Sequence, residues 1–147
     1  MSRRLHLSPH VLDEIRAHGR EAYPEECCGF LFGRDGDPRQ VTVVQRTENV
    51  AAENRRRRFR IAPLAYLRAE RYALAEGLDF LGIYHTHPDH PAIASEHDRK
   101  QAQPGFSYLI LSVRDGEAAE FRSWELQEDV TMGEETLLNT TISTLNT

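Results

Sequence analysis

The sequence has almost no lysine, confines cysteine to one adjacent pair and has no histidine after position 97. Lys100 is the sole lysine, so the basic residues are nearly all arginine, a compositional bias that carries no functional information. Positive charge is in deficit, with a formal net charge of -5, which argues against a general nucleic-acid binder. Long apolar runs are missing too. None approaches the roughly 20 residues that span a bilayer. The N-terminal stretch Met1 to Leu7 has basic residues but no apolar core or cleavage site, so it is not read as a secretory signal. Cys27 and Cys28 are adjacent and cannot staple distant segments, which fits a reducing, cytoplasmic compartment.

What is present suits one globular domain. The chain has 147 residues, 39% hydrophobic and 28% charged, enough to bury a core without disulfide or metal staples. Leu5 and Leu7 alternate with polar neighbours as a short strand does. Ser8-Pro9 reads as a helix start, with Val11, Leu12 and Ile15 on its apolar stripe, and Tyr23-Pro24 ends that helix. Cys28 to Gly33 predicts a buried strand that the turn-rich Arg34 to Pro38 reverses into Val41 to Val44. Pro63 opens a second helix carrying Leu64, Leu67 and Leu74, and Gly77 closes it. Leu78 to Tyr84 is a strand, Ser95 starts a third helix, and Tyr108 to Trp124 reads as a hairpin around Asp115-Gly116. This order gives an α/β (α+β) fold around a single mixed sheet, with one domain over residues 1–126. Residues 127–147 are rich in Thr, Asn and Glu and are expected as a polar C-terminal tail that is partly flexible, its last part loose.

Between His85 and Asp98 lie four of the seven histidines. Strand residues two apart face the same way, so His85 and His87 can converge on one ion while Thr86 points away. Ser95-Glu96-His97-Asp98 has the Ser-x-x-acid form of a capping pair, which sets Asp98 in the first helical turn, facing the loop. Two imidazoles, one carboxylate and an open position make a catalytic rather than a structural zinc site. His90 and His97 are weaker candidates on less constrained positions. The bland reading is a surface histidine pair beside an ordinary helix cap, and the conjunction argues against it.

Two families share these residues. His85-Thr86-His87-Pro88-Asp89-His90 matches the H-x-H-x-D-H run of metallo-β-lactamase-fold hydrolases, which need further histidines well downstream. Here none follows His97, so that match is local. The chain is more similar to the JAMM (MPN+) metalloproteases, whose motif is a distant Glu, then H-[ST]-H, seven residues, and S-x-x-D. His85-Thr86-His87, the seven residues Pro88 to Ala94, and Ser95 to Asp98 reproduce it without a gap. Glu26-Cys27-Cys28-Gly29 resembles the family's Glu-x-Cys-Gly strand, and similarity runs from Leu5 to Trp124.

That resemblance implies a curved mixed sheet flanked by helices, the MPN or cytidine-deaminase-like architecture. It implies one Zn²⁺ held by His85, His87 and Asp98. Glu26 is the implied general base and Ser95 the implied helper of the tetrahedral oxyanion. The residues alone rate Glu25 and Glu26 evenly, since adjacent strand residues face opposite ways. The chain resembles bacterial standalone enzymes of the CysO-cysteine peptidase kind, which implies a ubiquitin-like or sulfur-carrier protein as substrate and partner. The long insertions that eukaryotic deubiquitinating members use to grip a second ubiquitin have no counterpart here. A scaffold module without peptidase activity and a RadC-like, DNA-associated relative are the alternatives. The complete ligand set opposes the first, and acidic charge opposes the second. Membrane and nucleic-acid partners are not expected, and no feature bears on oligomeric state. Cys28 reads as a small core residue and Cys27 has no assigned role. The run Arg55 to Arg58 with Arg60 reads as a solvated, self-repelling strand edge, with an acidic partner as the alternative.

Overall fold

A computed structural model describes residues 2–138. Its elements are β1 (Arg4–Leu7), α1 (Pro9–Ala22), β2 (Cys28–Arg34), β3 (Arg39–Thr47), α2 (Pro63–Glu76), β4 (Asp79–Pro88), α3 (Glu96–Gln101), β5 (Ser107–Arg114), β6 (Glu117–Leu126) and β7 (Met132–Leu137). The strands form one mixed sheet in the order β1-β3-β2-β4-β5-β6-β7. It curves until it closes, because β1 pairs in parallel with both β3 and β7. No helix among the described residues is long and apolar enough to cross a membrane.

Strand alternation divides the core between the two faces of the sheet. Leu31 joins Leu7, Leu12, Ile15, Tyr84 and Leu111 in the cluster that packs on α1. Its neighbours Phe30 and Phe32 join Phe59, Ile83 and Tyr108 in the cluster that packs on α2. Burying one such Leu or Phe contributes about 1.5–3 kcal/mol. β4 and β5 approach closely at Gly82, where an added Cβ would lie 1.9 Å from the Ser107 carbonyl oxygen. Gly77 ends α2 with φ 65, the left-handed cap that glycine adopts without strain.

Three features of the packing were not evident from local sequence. In α2 the leucines do not face the core: Leu64, Leu67 and Leu74 are 53%, 41% and 84% exposed, whereas Ala69 and Ala73 are buried. Small residues on that face let the helix sit close over an aromatic layer, with the Phe32 and Tyr72 rings 4.9 Å apart. The arginine run lies on a loop, not on a strand edge. Part of the polar tail, Met132–Leu137, is a strand. β7 pairs with β6 and β1 and carries Glu135, which is 2% exposed. Glu135 accepts hydrogen bonds from Ser107 Oγ (3.0 Å), Ser123 Oγ (2.7 Å) and Arg3 Nε. Buried Arg39 donates to Ser107 Oγ at 3.0 Å and extends this polar clasp across the closure. Residues 139–147 of that tail lie outside the described residues.

Candidate metal and catalytic centre

The phase of β4 decides which face the histidines take. β2 pairs with β4, and the register slips between Leu31 and Phe32, so Leu81 has no partner across the pair. Such a bulge moves every later side chain to the other face. Phe80 packs on the α2 face, with its ring 5.5 Å from Phe30, yet beyond the slip Ile83 takes that face and Tyr84 the opposite one. His85 and His87 therefore fall on the α2 face, where the His85 ring stacks on Phe59 at 4.4 Å. Thr86 points the other way. Its Oγ1 accepts from the Cys27 N–H at 2.9 Å, and its own N–H donates to the Cys27 carbonyl at 3.1 Å.

Three donors converge on that face. His85 Nε2 lies 3.1 Å from His87 Nε2 and 3.2 Å from Asp98 Oδ1, and His87 Nε2 lies 3.1 Å from Asp98 Oδ2. Ligands at 2.0–2.1 Å from a tetrahedral ion stand about 3.3 Å apart, so the spacing fits zinc. His87 Nδ1 hydrogen-bonds the Pro91 carbonyl at 2.8 Å, which places its proton there and turns the Nε2 lone pair inward. His85 Nδ1 is buried with no hydrogen-bond partner, and a cation between the two Nε2 atoms would let both imidazoles turn a lone pair inward. The two histidines are 1% exposed and Asp98 is 7% exposed.

Asp98 is held by its helix start. Ser95 Oγ accepts from the Asp98 N–H at 3.1 Å, and Asp98 Oδ2 accepts from the Ser95 N–H at 2.9 Å, a complete capping box. Burial works against the carboxylate, but the His85 and His87 imidazoles and the Ser95 N–H hold its pKa well below the usual range. The Ser95 hydroxyl uses a lone pair in this cap, and its own hydrogen has no acceptor among the described residues.

Of the two candidate glutamates, Glu25 is exposed and Glu26 is 3% exposed. A Glu26 carboxylate oxygen and ligand atoms of His87 and His90 lie within 4.8 Å of one another. Glu26 Oε1 is buried with no hydrogen-bond partner. Burial raises the Glu26 pKa to about 8, against the opposing pull of His87. Desolvation thus favours the protonated carboxyl, and a cation in the adjacent three-donor cradle would favour the carboxylate.

Over residues 8–127 the chain matches the family described as prokaryotic homologs of the JAB domain. The chain belongs to that family. It is 38% identical over 116 residues to a desampylase of Haloferax volcanii, covering 76% of this chain and 82% of the relative. It is 30% identical over 118 residues to the CysO-cysteine peptidase of Mycobacterium tuberculosis, covering 79% of this chain and 78% of that one. A JAB1/MPN domain protein from Archaeoglobus fulgidus shares the fold at a TM-score of 0.54 and 14% identity, over 90% of this chain and 97% of that one. The JAB chain is accordingly a hydrolase, a peptidase of the JAMM type.

Some contributors in this JAB site had no clear sequence signal. Asn49 sits in the polar stretch after β3 and bonds four backbone groups. Its Nδ2 donates to the carbonyls of Glu26 (3.0 Å) and Arg58 (3.1 Å), and its Oδ1 accepts from the N–H groups of Ala51 (3.0 Å) and Arg60 (3.1 Å). The Glu26 N–H meets the Arg55 carbonyl at 2.7 Å, so the loop from Asn49 to Arg60 is built onto the glutamate's own backbone. His90, set aside on sequence, stacks on His87 at 4.2 Å and is steadied by the Ser112 hydroxyl bonding its carbonyl at 2.7 Å. Asp89, with φ 59, accepts from the Tyr23 hydroxyl and from the Asp115 N–H (2.8 Å), pinning the segment after β4 to two neighbouring turns. His97 is half-buried on the wall of a separate groove. Both cysteines are free and buried, and burial pushes the Cys27 thiol up to about 11, which opposes a thiolate mechanism.

Proposed function

We propose that this chain is a zinc-dependent peptidase or isopeptidase. It hydrolyses the linkage at the C-terminus of a ubiquitin-like or sulfur-carrier protein. The observation that carries the reading is the convergence of His85, His87 and Asp98 at 3.1–3.2 Å beside buried Glu26. The names of the relatives, a desampylase and a CysO-cysteine peptidase, supply the substrate class.

His85, His87 and Asp98 hold one zinc in this reading. When bound, the metal lowers the pKa of water and polarises the scissile carbonyl. Glu26 takes a proton from the attacking water and delivers it to the leaving nitrogen. Such a base contributes about 10²–10⁴-fold. Ser95 directs its unused hydroxyl hydrogen to the oxygen that becomes negative, a donor worth about 10²–10³-fold. Phe59 and the Pro91 carbonyl fix the two imidazoles. The free, buried cysteines suit the cytoplasm.

The test is incubation of the zinc-loaded protein with ubiquitin-like carriers bearing C-terminal extensions, read by intact mass. Release of the extension, abolished by chelation and restored by zinc, is expected. Uncleaved carriers in the presence of one bound zinc per chain would overturn the reading.

A further inference from the structure

The chain carries net charge -5, yet five arginines fall within six residues of one loop, Arg55 to Arg58 and Arg60. All five are exposed. Elsewhere arginines such as Arg39, Arg46 and Arg122 are paired with carboxylates. In the loop only Arg55 has a partner, the Ala51 carbonyl at 2.8 Å. Among the described residues, the side chains of Arg56, Arg57, Arg58 and Arg60 have no hydrogen-bond or ion-pair partner. Local charge thus opposes the charge of the whole molecule, and among the described residues these four guanidinium groups are left without a direct partner.

The loop is also fixed in place. Asn54 takes a left-handed conformation with φ 58, and its carbonyl accepts from the N–H groups of Arg57 and Arg58, both at 3.0 Å. Asn49 and the Glu26 N–H tie the loop's two ends to the strand entrance that carries the proposed base. It borders two recesses, each lined by a residue that adjoins a histidine of the cradle. Arg58 and Arg60 line a groove of about 310 Å³ with Ala51, Phe59, His97 and Gln101, and Phe59 is the ring stacked on His85. Arg56 and Arg57 line a polar recess of about 320 Å³ with Pro24, Pro88 and Asp89, next to His87.

We infer that this loop is the docking surface for an acidic protein substrate, meeting the carboxylates that flank its scissile C-terminal linkage. The inference rests on the peptidase reading above and specifies its substrate as acidic near the cut. An acidic carrier is repelled by most of a surface of net charge -5, and the arginine loop is where it can approach. Guanidinium groups present paired donors that match carboxylates. A loop already held by backbone hydrogen bonds loses little freedom when it binds. Nucleic acid fits less well. Phe59, 5% exposed, offers no free face for a base to stack on.

The test uses the full chain, zinc-loaded, with Arg56, Arg57 and Arg58 all changed to Gln. Binding of a fluorescent acidic ubiquitin-like carrier to Glu26→Gln protein, with and without the triple change, is read by anisotropy at about 50 mM and about 500 mM salt. At low salt the triple variant should bind about tenfold more weakly, with most of the difference gone at high salt. With Glu26 intact, the triple change should raise KM by a similar factor and leave kcat within about twofold. Unchanged zinc content and melting temperature establish that the loop variant is folded. Equal carrier affinity at both salt concentrations would overturn the inference. So would loss of single-stranded oligonucleotide binding with carrier binding intact. Because the binding arm needs no turnover, its failure is separate from a failure of the wild-type protein to cleave the carrier.

Discussion

Replacing Asn49 by Ala removes the hub that ties the arginine loop to the backbone of Glu26. Four hydrogen bonds vanish together, two to carbonyls and two from N–H groups, at 3.0–3.1 Å. At about 0.5–1.5 kcal/mol net each, the sum is about 2–6 kcal/mol. Asn49 is half-buried and Arg58 and Arg60 are exposed, so water replaces part of what is lost. We expect about 2–3 kcal/mol, or about 8–12 °C in melting temperature for a domain of this size. Activity should fall further than stability. The carbonyl of Glu26 loses its anchor, and misplacing a catalytic group by about 1 Å costs about 10²-fold. Asn49→Asp is the sharper control. It keeps the two acceptor bonds but turns oxygens toward the carbonyls of Glu26 and Arg58, and should be at least as damaging as Ala. The assays are thermal unfolding by circular dichroism and steady-state cleavage at constant zinc occupancy. A melting temperature within about 2 °C of wild type together with an unchanged kcat would refute the reasoning.

Single changes His85→Ala, His87→Ala and Asp98→Ala should each abolish stoichiometric zinc, measured by elemental analysis. Asp98→Ala should also cost about 1 kcal/mol through its lost half of the capping box. In metal-free protein, Glu26 has a folded pKa raised to about 8 by burial, so the folded state keeps a proton that the unfolded state releases near pH 4.5. Stability should therefore fall as pH rises between those values, by a few kcal/mol at most at about 1.4 kcal/mol per pKa unit, and denaturant titrations of Glu26→Gln should flatten that slope. Glu135→Ala should destabilise by about 2–4 kcal/mol in urea, because it leaves Ser107, Ser123 and Arg3 without their shared acceptor and opens a hole at the barrel closure.

The elements near the site were legible because local rules decide them. Ser8-Pro9 and Pro63 start helices, Gly77 stops one, and Ser95-x-x-Asp98 forms the capping box its spacing predicts. The convergence of His85, His87 and Asp98 was also legible, because their strand and cap positions are local. The extra residue at Leu81 was not, although it sets the face of both histidines, because a bulge is fixed by pairing with a strand about fifty residues away. The leucines of α2 do not mark its buried face, for a related reason. Hydrophobicity marks what can be buried, whereas the aromatic layer beneath selected the alanines. β7 looked like a tail because Met132 to Leu137 has little apolar content, and its burial comes through the Glu135 polar clasp. Asn49 left no trace in the sequence, since its partners are backbone groups.

The central claim is that Glu26 moves the proton at a zinc site built by His85, His87 and Asp98. The most direct measurement compares Glu26→Gln with Glu25→Gln, each assayed for bound zinc and for release of a C-terminal extension from a ubiquitin-like carrier. The account predicts one zinc per chain in both, turnover near wild type for Glu25→Gln, and turnover reduced by about 10²–10⁴-fold for Glu26→Gln. A zinc-loaded Glu26→Gln protein that cleaves at the wild-type rate, or a Glu25→Gln protein that does not cleave, would contradict it.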